Sequence, residues 1–297
     1  MRAGRAAKRR QHSMKRISRI CLFLSLIPLS LGAVAASPLS SRTKPRIAII
    51  IDDIGNNLHL GLRAVRLPGQ VTCAFLPHTI YARRLAVVAH KRNKEVMLHL
   101  PMQSEIGKAP GPGALTLDMT RKEFNHTVEG DLAAIPYVAG VNNHMGSLMT
   151  QHPGDMRWLM QDINRHGNLF FVDSRTTEYT VAQQVAKETG IPNLRRDVFL
   201  DNNQNRAAIA AQFAHLIALA KRRGSAVAIG HPHPNTLRFL ARQLPRLADE
   251  GIELVSVSDL IKFKQRPAIY AAAPLLMGAV KTDITSASGR HAAIATP

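Results

Sequence analysis

Apolar residues along the chain fall into short blocks that end on polar residues and alternate with stretches of helical periodicity. The first block, Ile47-Ala48-Ile49-Ile50-Ile51, is continuous and mostly β-branched, and it stops at Asp52-Asp53 and Gly55. An apolar run without polar alternation predicts a strand buried on both faces, as in a parallel sheet. Further strands are predicted at 71–77, 95–102, 138–147, 169–175 and 226–232, with a weaker one at 196–201 and a closing one at 252–257. Between them the spacing predicts helices at 57–66, 79–92, 120–134, 153–165, 180–189, 205–223 and 235–250. Gly190-Ile191-Pro192 reads as a turn, and 104–119, carrying Pro110-Gly111-Pro112-Gly113, as a long loop. Strands and helices alternate without a break in composition, which implies one parallel α/β domain over 46–265.

Polar residues terminate nearly every predicted strand: Asp52-Asp53, His99, Asn143-His144, Asp173 with Arg175, Asp201, and His231 with His233. In a barrel these ends converge on one face, so a barrel or distorted (β/α) barrel with seven to eight parallel strands is expected. No G-x-G-x-x-G follows the first strand and no Walker sequence occurs, which argues against a dinucleotide or nucleoside triphosphate site. Ser147 and Ser174 lack a G-x-S-x-G elbow, which argues against a serine nucleophile.

The net charge of +19 over 297 residues suggests an anionic partner until its location is considered. Eight Lys and Arg and no acid lie within residues 1–36, ahead of the apolar stretch Ile20–Leu29 and the small-residue run Ala33-Val34-Ala35-Ala36. That is the anatomy of a secretory signal peptide cleaved near residues 35–36, with an uncleaved anchor as the alternative. The apolar run is short for a membrane span and contains Pro28. Export, to a periplasm, is the expectation, with membrane contact only through this segment. Residues 37–45 read as a linker and 266–297 as a flexible tail. Once residues 1–36 are removed, Cys73 stands alone, so no internal disulfide is expected. Aromatic residues make up 5%, with no basic-aromatic strip, which argues against nucleic-acid readout.

A catalytic zinc or similar ion needs about three nitrogen or oxygen ligands and an open position. Asp53, His99 and His144 would supply that set from three strand ends. Each has an ordinary alternative: a helix cap for Asp53, core or loop positions for the histidines. Asp173 and Arg175 would ordinarily form an ion pair, and Asp201 would start a turn. His231-Pro232-His233 places two imidazoles on one face of an extended segment, as a second metal pair or as a general acid with a neighbour.

Five segments carry a resemblance: Ile49-Ile50-Ile51-Asp52-Asp53-Ile54-Gly55, Glu95-Val96-Met97-Leu98-His99-Leu100-Pro101-Met102-Gln103, Gly140-Val141-Asn142-Asn143-His144-Met145-Gly146-Ser147, Phe171-Val172-Asp173-Ser174-Arg175-Thr176 and Ala228-Ile229-Gly230-His231-Pro232-His233-Pro234. In this order, across about 46–262, they resemble the divergent polysaccharide deacetylases, relatives of the metal-dependent carbohydrate esterases of NodB-homology type. The resemblance implies a distorted barrel in which Asp52 is the catalytic base and Asp53 a ligand of a divalent metal, zinc being expected. His99 matches the first histidine of the family's H-x-x-x-H motif, whereas Gln103 occupies the second position. His144, which ends the following strand, is then the candidate for the missing ligand. Ile229-Gly230-His231 resembles the late Leu-x-His motif and makes His231 the candidate acid, with Asn143, Asp173, Arg175 and His233 as supporting or substrate-binding residues. The expected function is an exported metal-dependent hydrolase that deacetylates an N-acetylated envelope polysaccharide. The alternative is a non-catalytic envelope protein that keeps the barrel as a glycan- or protein-binding surface.

Overall fold

The computed structural model describes residues 43–265. The expected signal segment, residues 37–42 of the linker and the tail lie outside the described residues. Strands β1 (Arg46–Ile54), β2 (Thr72–Phe75), β3 (Val96–Met102), β4 (Val138–Met145), β5 (Phe170–Asp173), β6 (Asn193–Arg195), β7 (Val198–Phe199), β8 (Ser225–Gly230) and β9 (Glu253–Leu254) form one sheet. Its order is β6-β5-β4-β3-β2-β1-β8-β7, and every ladder is parallel. Helices α1 (Leu58–Val65), α2 (Ala82–Lys91), α3 (Arg121–Ala134), α4 (Pro153–Arg165), α5 (Ala182–Glu188), α6 (Arg206–Arg223), α7 (Pro234–Gln243) and α8 (Val257–Gln265) complete the fold.

Two neighbouring residues bring the sheet's outer edges together. The Arg196 amide donates to the Asp173 carbonyl on β5, and the Asp197 amide donates to the Val227 carbonyl on β8, each at 2.9 Å. Consecutive Cα atoms are about 3.8 Å apart, so strands at opposite ends of the sheet meet across this seam. The sheet is therefore curled into an incompletely closed barrel, as the strand-end pattern predicts.

The period-2 alternation of each strand sorts its side chains into two layers. Ile47, Ile49 and Ile51 of β1 face the outer helical layer. Ala48 and Ile50 face inward, among Ala74, Met97, Phe170, Val172, Val227 and Ile229. The N-terminal end of this inner layer is stoppered by Val257, Leu260 and Ile261 of α8. Glu95 fixes that stopper: its carboxylate accepts from the amides of Val257 at 2.9 Å and Ser258 at 3.1 Å, satisfying donors that a helix start leaves free. Gly140 shows how tightly the interior is filled, since a Cβ there would lie 2.3 Å from the Phe170 ring.

Some boundaries differ from the sequence expectation. The weak strand expected at 196–201 contracts to β7 at Val198–Phe199, and β6 just before it was not expected; the two lie on opposite edges, because the chain crosses the seam between them. The closing strand contracts to two residues, because β1 offers β9 only the edge at Arg46 and Ile47 before β2 begins to pair at Ile50. Helix α8 follows it and had no counterpart in the sequence reading. The helix expected to Glu250 ends at Gln243 and passes into a 3-10 turn at Leu244–Arg246, where Pro245 has no amide to continue the ladder.

A carboxyl buried outside the barrel interior has its own pH consequence. Asp131 of α3 is fully buried, and its Oδ1 lies 2.8 Å from His78 Nε2. Gly113 approaches so closely, at φ 77°, that a Cβ there would lie 2.1 Å from the same oxygen. Burial pushes the Asp131 carboxyl up to about 8. An unfolded aspartate titrates near ~3.9, so between ~4 and 8 the folded state holds the extra proton and stability falls as pH rises. We expect the thermal stability of the wild type to fall from pH 5 to pH 8, and Asp131→Asn to flatten that slope. An unchanged slope in the variant would contradict the assignment.

Candidate active site

At the C-terminal ends of the strands the inward face changes from apolar to polar without changing register. Asp52 continues the face of Ala48 and Ile50, His99 that of Met97, His144 that of Asn142, and His231 that of Val227 and Ile229. The β3–β4 ladder sets His99 against Asn142 and Pro101 against His144. Asp53 breaks the rule. As the neighbour of an inward residue it should face the helices, but its φ is 54° and the β1–β2 register shifts between Ile51 and Ile54. This left-handed residue, tolerated by Asp more readily than by most side chains, turns both carboxylates toward one cavity.

Three ligand-type atoms converge there. Asp53 Oδ1 lies 3.0 Å from His144 Nδ1 and 3.2 Å from His99 Nε2, and the two nitrogens are 3.1 Å apart. Atoms about 2.0–2.2 Å from a tetrahedral ion stand roughly 3.3 Å apart, so the triangle has the dimensions of a metal site. Asp53 Oδ1 is also buried without a hydrogen-bond partner of adequate geometry. An orphaned carboxylate oxygen is costly unless a cation offsets it. The donor set of two imidazoles and one carboxylate suits zinc or another borderline divalent ion.

Asn142 organises the neighbouring groups. Its Oδ1 lies 2.9 Å from His99 Nδ1, so that nitrogen carries the proton and Nε2 presents a lone pair to the triangle. Its Nδ2 donates to both oxygens of Asp52, at 2.9 and 3.1 Å. Burial raises Asp52 above the usual carboxylate range, against the pull of His99 and His231. Burial also acts on Asp53, but His144 and His99 outweigh it and hold that carboxyl well below the usual range. His99 is held above the ordinary histidine value, since Asp52 and Asp53 overcome its burial.

On the β8 side, His231 Nδ1 donates to Asp201 Oδ1 at 2.9 Å. Asp201 Oδ2 accepts from the His231 amide at 2.7 Å and from Thr236 Oγ1 at 2.8 Å. His231 Nε2 is left facing the cavity, 4.0 Å from Asp53 Oδ2. Burial disfavours the imidazolium, but the hydrogen bond to Asp201 and the charge of Asp52 raise His231 to about 9. The main cavity has a volume of about 710 Å³ and includes Asp52, Asp53, His99, His144 and His231 in its wall. A second cavity of about 400 Å³, between Pro77–Ile80 and Pro110–Pro112, shares Asp53 and His144 with it.

The structure thus brings together Asp52, Asp53, His99, His144 and His231. Asn143 lines the main cavity but acts as a pin, donating to the Met145 carbonyl and accepting from the Ser174 amide, each at 2.8 Å. Asp173 does not line that cavity; its oxygens accept from the Arg175 amide at 2.8 Å and Thr180 Oγ1 at 3.0 Å. No Asp173–Arg175 ion pair forms among the described residues, because Arg175 leaves the strand at φ 51° and lines the cavity instead. His233 sits just before the first turn of α7 without a side-chain capping hydrogen bond, its Nε2 lies 3.2 Å from Gln204 Nε2, and it is outside the main cavity's wall. It groups with Asp201 and His231 within 4.8 Å, although those two are already bonded to each other. Gln103 faces the long loop, accepting from the Leu117 amide at 2.8 Å. Sequence reasoning missed the parts played by Asn142, Ser174, Arg196, Asp201 and Thr236. Only Asp201, a carboxylate at a strand end, carried a signal that could have been followed.

Residues 49–261 match the family described as divergent polysaccharide deacetylase. The chain is 37% identical over 245 residues to the uncharacterized protein YibQ of Escherichia coli (strain K12), covering 81% of this chain and 76% of that protein. It is 36% identical over 220 residues to an uncharacterized protein of Haemophilus influenzae (strain ATCC 51907 / DSM 11121 / KW20 / Rd), covering 74% of this chain and 78% of that one. A crystal structure of an uncharacterized protein from Agrobacterium tumefaciens C58 superimposes with a TM-score of 0.71 at 26% identity, covering 75% of this chain and 92% of that one. With a match that spans most of the barrel and every strand end described above, the chain belongs to the divergent polysaccharide deacetylase family.

Proposed function

We propose that this protein is an exported, metal-dependent amidohydrolase that removes acetyl groups from an N-acetylated envelope polysaccharide. The observation that carries the reading is the convergence of Asp53 Oδ1, His99 Nε2 and His144 Nδ1 at 3.0–3.2 Å, flanked by Asp52 and His231. Export rests on the basic and apolar N-terminal segment.

Asp53, His99 and His144 would hold the divalent ion, which when bound supplies Lewis acidity toward a carbonyl and a water. The protein's own residues do the rest. Asp52 is held by Asn142 on the cavity wall, where it takes the proton of the water that attacks the acetyl carbonyl. His231, oriented through Nδ1 by Asp201, presents Nε2–H to the nitrogen of the breaking C–N bond. Acetate leaves with the water oxygen, and the sugar is left with a free amine.

Two experiments test this reading. Zinc-loaded protein should release acetate from chitin oligomers or peptidoglycan, and Asp52→Asn should cut turnover by roughly 10²–10⁴-fold while retaining its metal. Asp53→Ala and His144→Ala should each lose the metal by elemental analysis, whereas Gln103→Ala should keep it. Stoichiometric zinc in the Asp53 variant would refute the ligand assignment. Metal-free protein with no acetate release would support the non-catalytic alternative.

A further inference from the structure

The main cavity contains two guanidinium groups that the proposed hydrolysis does not use. Arg196 sits on the seam between β6 and β7. Its Nε donates to the Ser174 carbonyl at 2.6 Å, its Nη2 donates to the Arg175 carbonyl at 2.7 Å, and its guanidinium carbon lies 5.0 Å from the Phe199 ring centroid. The group is therefore fixed in place, and Nη1 has no partner among the described residues. Arg175 lines the same cavity, and its guanidinium makes no hydrogen bond or ion pair among the described residues.

No carboxylate in the cavity wall forms an ion pair with either guanidinium among the described residues, although Asp52 and Asp197 lie close enough to act on Arg196 through their charge. Asp53 is taken up by His99 and His144, and Asp52 by Asn142. Asp197 accepts from the Val227 amide at 2.9 Å, and its other oxygen is 3.4 Å from Arg223. Burial and the charge of Arg175 both press the Arg196 guanidinium below its ordinary value. Asp173, Asp52 and Asp197 offset this only in part and through charge alone; two like charges side by side, neither in an ion pair, are unfavourable, and an anion supplied from outside relieves them. Guanidinium forks match the planar or tetrahedral oxygens of carboxylate and phosphate, particularly when backbone carbonyls have already fixed their orientation.

We propose that Arg175 and Arg196 form an anion subsite beside the reaction centre, selecting glycans that carry a carboxylate or phosphate near the acetamido sugar. The inference rests on the reading of this cavity as a glycan site and names the substrate class that it prefers. A neutral N-acetylated chain would fill the groove without satisfying the two cations. An acidic chain would satisfy them while presenting its acetamido group to Asp52 and His231.

Calorimetric titration of the full zinc-loaded chain tests the subsite through binding rather than turnover. Three tetrasaccharides of equal length serve as probes: neutral N-acetylglucosamine, N-acetylglucosamine alternating with a uronic acid, and N-acetylglucosamine carrying a phosphate monoester. An anionic probe should bind about tenfold more tightly than the neutral one at low salt, with the margin shrinking as salt rises. Whichever anionic probe binds more tightly identifies the group. Arg175→Gln should collapse the ratio toward one, and Arg196→Lys, which keeps the charge but loses the fork, should reduce it. Equal affinity for all three probes, or a ratio unmoved by Arg175→Gln, would overturn the subsite and leave the glycan reading standing. Absence of binding by every probe would overturn both.

Discussion

Two adjacent carboxylates end a strand whose preceding five residues are all fully buried, and much of the surrounding structure answers that constraint. Desolvation and mutual repulsion both penalise such a pair. The penalty is met by separating the two environments. Asp52 stays in strand register, and both its oxygens accept from one buried amide nitrogen, Asn142 Nδ2. Asp53 leaves register through a left-handed backbone and brings Oδ1 to 3.0 and 3.2 Å from two imidazole nitrogens. Neither arrangement is available to the other residue, so the pair's chemical division of labour follows from one backbone angle.

That division needs partners from strands distant in sequence, and barrel closure delivers them. The inner face of every contributing strand is apolar below and polar above, with α8 sealing the apolar end and the cavity opening at the other. Arg196 and Asp197 stitch β5 to β8, which places β7 beside β8 and Asp201 within reach of His231. Arg196 then lends its side chain to the same region. The seam is a structural joint whose residues also line the cavity wall, so altering the closure would alter the orientation of His231.

The parts of this architecture that were legible in the sequence are those set by local patterning. Continuous apolar runs with polar ends marked β1, β3, β4 and β8, because a parallel strand buried on both faces leaves no alternation to mislead. The strand-end positions of Asp53, His99 and His144 came from the same pattern. What escaped depended on non-local contacts. Asn142 looks like an ordinary polar residue until the β3–β4 register sets it against His99. Asp201 resembles a turn residue until β7 is paired with β8. The short β6 and β7 carry too few residues to show a period, and α8 gains its apolar partners only from the barrel interior. The Asp173–Arg175 pair misled for the opposite reason: extended geometry would join them, but the chain turns at Arg175.

The substitution at Gln103 is best understood through what holds each donor. Two ligands on one short H-x-x-x-H segment would tie the site's geometry to the chain immediately after β3. Here that segment begins the long loop, and Gln103 is committed to it: the side chain accepts from Leu117, and the backbone bonds Leu115 and Met149. His144 comes instead from β4, whose ladder with β3 runs without interruption from Met97 to Met102. The relation between His99 and His144 is then fixed by hydrogen bonds of the sheet, among the most rigid elements of the fold. Loop 104–119 is relieved of holding a donor and becomes a wall of the second cavity, with Pro110, Gly111 and Pro112 facing Asp53 and His144 across it. Drawing the second imidazole from a strand rather than from the loop therefore keeps the triangle intact. It moves the triangle's support into the sheet and frees the loop to shape what lies beside it.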